Sequence, residues 1–297
     1  NAISVIIAVV TMTAGSALLM WIGERITENG VGNGISIVLL FNIISSLPSD
    51  ASTLYTRFMS GKSVAVSAVA AIIIVAIVIA IVVFVVVLQD GERRIPVQYS
   101  KKMQGRKMVG GQSSNIPLKV NTAGVIPVIF ASSIMSFPVV IAQFFGSRIN
   151  YDSIGGHILL MLNSSNWFKP ERPVYSIGMV VYIALIIVFA YFYTSITFNP
   201  LEVANNMKKS GGFIPGIRPG KPTSDYLNSI LNYVVFIGAC GLTIVCIIPI
   251  MVSGLFNVSR LSFGGTSLII IVSVVLETIK AIESQMLVRY YKGFLND

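Results

Sequence analysis

SVAVSAVAAIIIVAIVIAIVVFVVVL, residues 63–88, decides what kind of protein this is. The run holds no charge, no proline and no glycine. As a helix it extends about 39 Å at 1.5 Å per residue, enough to cross a hydrocarbon core of about 30 Å with some tilt. Six further apolar segments surround it, at roughly 3–22, 31–47, 121–145, 174–197, 228–253 and 266–282. Of the 297 residues 54% are apolar and 11% charged, where a soluble domain carries about 25% charged. Mean hydropathy is +0.81. These features predict an all-α polytopic membrane protein with seven transmembrane helices.

Two of the segments depart from plain lipid-facing composition. The second is short, and Asn42 sits inside it. The fourth, NTAGVIPVIFASSIMSFPVVIAQFF (121–145), carries Pro127, Pro138, Ser132, Ser133 and Ser136. Such residues suit a helix that lines a cavity, bends or slides. Sidedness follows from the cations. Loops 23–30, 89–120 and 198–227 with the tail 283–297 hold fourteen Lys and Arg, and the opposite loops hold six. The positive-inside rule makes the richer side cytoplasmic. An odd number of spans upstream of Asn1 is expected on this topology.

The two large basic loops look shaped. In 89–120, Ile95, Val97 and Tyr99 alternate with polar neighbours. Gln104-Gly105 marks a turn, and Arg106 to Val109 can return, so a basic β-hairpin is expected. Its cations suit anionic lipids, RNA phosphates or an acidic protein face. In 198–227, Asn199-Pro200-x-Glu202 reads as a helix start and Gly211 as its stop. GFIPGIRPGKPTSDY (212–226) then presents Arg218 in a stretch too rich in proline and glycine for helix or central strand. Thr223, Ser224 and Asp225 are expected to cap the next helix.

Chemistry-bearing groups are scarce. The single His157 lies in an outer loop, and no HExxH, paired aspartates or serine–histidine pair occurs. Cys240 and Cys246 lie six residues apart, about 9 Å along a helix, too far for a disulfide. The pattern reads as a conduit without a cofactor, not an enzyme.

Five blocks resemble the bacterial SecY family, the channel subunit of the Sec protein translocase. They are GERITENGVGNGISI (23–37), GERRIPVQYSKKMQGRK (91–107), SSNIPLKVNTAGVIPVIFASSI (113–134), FNPLEVANNMKKSGGFIPGIRPGKPT (198–223) and FGGTSLIIIV (263–272). The match is to the fourth through tenth of the family's ten helices. The resemblance implies an apolar pore ring at Leu39, Ile43, Ile129 and Ile270, with Leu39 replacing the family's usual isoleucine. It implies gate and pore-lining roles for Ser132, Ser133 and Phe137. It assigns docking of the SecA ATPase or the ribosome to Arg93, Arg94, Lys101, Lys102, Arg106, Lys107, Arg218 and Lys221. SecE, SecG and an unfolded preprotein or nascent chain are the other implied partners, beside anionic lipids.

The chain divides on this reading into 1–62, the first two spans; 63–120, the third span and hairpin loop; 121–197, two gate-type spans; 198–227, the docking loop; and 228–297, the last two spans and tail. A secondary transporter of a small solute is the alternative function, and a membrane scaffold a third.

Overall fold

The computed structural model describes residues 2–59, 64–99, 102–104, 107–109, 113–145, 153–167, 173–256 and 265–293. The helices are α1 (Ala2–Asn29), α2 (Gly34–Phe58), α3 (Val64–Asp90), α4 (Ile126–Phe145), α5 (Ile154–Leu162), α6 (Ile177–Thr197), α7 (Pro200–Lys209), α8 (Lys221–Phe256) and α9 (Gly265–Gly293). The strands are β1 (Glu92–Tyr99), β2 (Lys102–Gln104), β3 (Lys107–Val109), β4 (Ser113–Lys119) and β5 (Gly212–Phe213).

Among the described residues, six helices are long and apolar enough to cross a membrane. The segment expected as a seventh span forms α9 but is not one of the six. Its apolar stretch runs into Glu277, Lys280 and Glu283. Two other expectations shift. α2 continues through Pro48 to Phe58, well past the short apolar core read from the sequence. α4 begins at Ile126, because 120–125 forms a turn with Gly124 at φ +64°.

The chain divides into two units. The first comprises 1–75, 260–263 and 267–297. In it α1 and α2 pack as a pair of helices, and Asn33 caps α2 by accepting from the Ile35 and Ser36 amides. Thr27 Oγ1 accepts from the Gly34 amide at 2.9 Å and fixes the connection. The apolar surface of α1 is almost wholly exposed, as suits a helix whose solvent is lipid.

The second unit comprises 76–259 and 264–266. α6 packs on α4 and on α8. The α6–α8 seam is built on Ala190, Leu231, Val235 and Ala239, whose two alanines let the backbones approach. Phe130 of α4 stacks on Phe189 of α6 with centroids 5.7 Å apart.

Both basic loops belong to this second unit and form one small body. β1 and β4 run antiparallel from Glu92↔Lys119 to Gln98↔Ser113, and β2 pairs β3 beyond them. The return strand near residue 107 read from the sequence corresponds only to this outer pair. The longer return, β4, carries Pro117 in a Ser-Ser-Asn-x-Pro context that reads as loop. β5, from the other loop, pairs the far side of β1 at Gln98 and Tyr99, giving the order β4-β1-β5. Pro96 falls where β1 has a neighbour on one side only, so its missing N–H breaks no ladder on the open side.

Candidate functional site

Among the places in the second unit that bring polar or charged side chains together are the loop body and a cavity between α4, α6 and α8.

The loop body has a dry core. Ile95 and Val97 of β1, Leu118 of β4, Met207 of α7, Ile214 and Leu227 are all buried together. α7 forms as its sequence dictates: Asn199 caps it through the Leu201 and Glu202 amides, Pro200 opens it, and Lys208 and Lys209 occupy the last turn. The segment after β5 then makes a tight turn. The Ile217 amide donates to the Ile214 carbonyl at 3.0 Å, with Pro215 and Gly216 between. Gly216 has φ +83°, the left-handed value that the third residue of a type II turn requires. Thr223 does not cap α8, which starts earlier, at Lys221. It is buried instead and donates its hydroxyl to the Arg218 carbonyl at 2.8 Å. The turn below and the Thr223 tie above hold the Arg218 backbone, while its side chain is exposed.

Among the expected docking cations, Arg93, Arg94, Arg218 and Lys221 are exposed on this body. Arg94 Nε donates to Glu92 Oε1 at 2.6 Å, so part of its charge is already matched. Lys102 and Lys107 stand on β2 and β3. Lys101 and Arg106 lie outside the described residues.

The cavity, about 400 Å³, lies toward the other end of the same helices. Ser132, Ser136 and Gln143 of α4 line one wall. Tyr182 of α6 and Cys246 of α8 line the floor, and Thr266 completes it. The Tyr182 hydroxyl lies 3.2 Å from Ser132 Oγ, and Cys246 and Thr266 line the same cavity. The α5–α6 connection closes one side. Trp167 is buried there, donates Nε1–H to the Met161 carbonyl at 2.6 Å and packs its ring 5.3 Å from that of Tyr182. Gly178 makes this possible: a Cβ at that position would fall 1.9 Å from the Met161 carbonyl oxygen. His157, in α5, is exposed and its Nδ1 lies 3.2 Å from the Tyr175 hydroxyl.

The three gate residues separate. Ser132 faces the cavity. Ser133 donates to the Ile129 carbonyl one turn back, and Phe137 is exposed. Ile129 is likewise exposed. Leu39, Ile43 and Ile270 belong to the first unit and Ile129 to the second. Sequence reading missed Tyr182, Trp167 and Cys246 as one cluster; a single tyrosine within 177–188, a stretch with no other aromatic residue, was the available signal.

The family model described as SecY matches residues 2–279. The chain belongs to the SecY family. It is 45% identical over 289 residues to the protein translocase subunit SecY of Streptomyces galbus, covering 97% of this chain and 62% of that protein. The SecY subunit of Corynebacterium glutamicum is 43% identical over 99% of this chain and 65% of its own length. For that of Halalkalibacterium halodurans the figures are 43%, 96% and 64%. The chain thus spans a little under two thirds of these SecY relatives. Among solved structures, one described as "The structure of a protein conducting channel" superposes with a TM-score of 0.56 at 18% identity, covering 92% of this chain and 63% of the other. Another, of a SecY protein studied for its plug domain, gives 0.58 with the same identity over 92% and 64%. These two share the fold. The small-solute transporter, the alternative read from the sequence, finds no support in the SecY matches. The coarse reading of a multi-pass membrane protein stands on the SecY relatives and on the six apolar helices.

Proposed function

We propose that this chain forms the larger part of the protein-conducting channel of a bacterial Sec translocase, passing unfolded polypeptides outward and releasing transmembrane segments sideways into lipid. The observation that carries the proposal is 43–45% identity, across 96–99% of the chain, to proteins named protein translocase subunit SecY.

In this reading Leu39, Ile43, Ile129 and Ile270 contribute an apolar constriction. Such a ring grips a passing chain without binding it and resists wetting when empty. α4 and α6 form one side of a lateral gate, with Ser132, Ser133 and Phe137 along it. The loop body lies on the cytoplasmic side of the bacterial inner membrane, where the positive-inside rule places its charge. Its fixed Arg218, with Lys221 and the cations of the hairpin, docks the SecA ATPase or ribosomal RNA. A side chain whose backbone is already ordered loses less entropy on binding. SecE and SecG complete the complex, and anionic lipids meet the flanking lysines. The driving energy comes from those partners.

The test places a photo-crosslinking residue at Ile129 of the full-length protein, with a secretory protein stalled in transit. Crosslinks at Ile129, absent from Ile72 on the exposed surface of α3, are the expected result. Labelling of lipid alone at Ile129, or equal crosslinking at Ile72, overturns the pore placement.

A further inference from the structure

From the cavity between α4, α6 and α8 we infer a binding site for a small neutral amphiphile, with its hydroxyl head at the Ser132–Tyr182 junction and its apolar body along Met135, Val139 and Ile250.

The volume, about 400 Å³, falls in the range of small-ligand sites. Its lining combines an apolar wall with a few convergent polar groups, the pattern such sites use for orientation. Ser132 of α4, Tyr182 of α6, Cys246 of α8 and Thr266 line this one cavity, with Ser132 Oγ 3.2 Å from the Tyr182 hydroxyl. Ser132 and Tyr182 each carry one O–H donor and lone pairs, so one bond between them leaves hydrogen-bonding capacity for a ligand hydroxyl. None of the fourteen described lining residues is Asp, Glu, Lys, Arg or His. A charged head would enter without a counter-charge from them and would lose its hydration uncompensated. A neutral head loses little. Ser136, Val140 and Gln143 are exposed at the mouth, while Met135, Trp167, Tyr182 and Cys246 are buried at the base. A ligand therefore enters past α4 and stops at the Trp167–Tyr182 ring pair. Ile129 and Phe137 are not among the lining residues, Ser132 is shared with the proposed gate, and the inference does not depend on a polypeptide passing through the protein.

The experiment uses the full-length protein in its native complex, in nanodiscs, with a decanol carrying a diazirine as the probe. Mass spectrometry of the photolabelled peptides is expected to place adducts on α4, α6 and α8 at the cavity lining. Excess decanol removes them, whereas decanoate and decylamine do not. Ser136→Phe, which projects a ring into the cavity, abolishes this labelling. Tyr182→Phe keeps the shape and weakens decanol competition about fivefold, the loss of one hydrogen bond. Adducts confined to α1 and α3, equal competition by the charged analogues, or unchanged competition in Tyr182→Phe would each overturn the assignment.

Discussion

α8 joins two regions that solve opposite problems. Near its start, Leu227 is sealed into the loop body with Ile95, Val97 and Leu118. Nineteen residues on, about 29 Å along the axis, Cys246 lines an open cavity beside Ser132 and Tyr182. The first region is dry, crossed by a three-stranded sheet and tied by short-range turns. The second is hollow, with the Ser132–Tyr182 contact bridging α4 and α6 at its base. In the proposed roles, a docking surface benefits from order that exists before the partner arrives, and a ligand site benefits from empty volume. One helix carries both because burial is decided locally, by what packs against each turn.

The strongest way to break this contrast is to hollow out the dry end. Leu227→Ala removes a fully buried side chain and is expected to cost about 2–5 kcal/mol. Hydrogen exchange should show lost protection in β1 and β4 while α4 and α6 keep theirs. If both regions lose protection together, they form one cooperative unit and the contrast fails. The converse change overfills the hollow end. Gly178→Ala drives a methyl group against the Met161 carbonyl and is expected to cost about 1–3 kcal/mol. Trp167 fluorescence should shift as its ring is displaced, with the loop body unchanged; an unshifted spectrum would mean that the α5–α6 connection relaxes freely. The smallest expected effect sharpens the docking side. Thr223→Val removes the hydroxyl that ties the Arg218 carbonyl, a loss of about 1 kcal/mol. On the proposed docking role, binding of a SecA-type motor should weaken through a slower on-rate as the arginine loses its fixed backbone. An unchanged on-rate would show that the turn at Gly216 alone orders the loop.

Much of this was legible in the residues. Uniform apolar runs such as 63–88 announce a membrane helix because lipid forces every backbone group to bond within its own segment. Asn199, Pro200 and Gly211 announce the ends of α7 because caps act through neighbours a few residues away. Pro215-Gly216 suits a type II turn for the same reason, although from the residues the stretch reads only as neither helix nor central strand. Local chemistry writes local structure. The end of α2 lay beyond the apolar segment 31–47 because the helix continues through Pro48 into polar residues, where hydropathy no longer marks it.

What the sequence by itself determined, then, was the class of protein, most helix starts, the two basic loops and, through five separated blocks, the family. Tertiary structure alone decided that the two loops share one sheet, that Thr223 serves Arg218 rather than the helix end, and that Ser132 meets Tyr182 while Ser133 does not. Each of these joins residues that periodicity leaves unlinked: Gln98 with Phe213, Ser132 with Tyr182. Pairings of that kind depend on which turn of one helix or strand faces which turn of another. Packing of whole surfaces sets that alignment, and no single residue's preference records it.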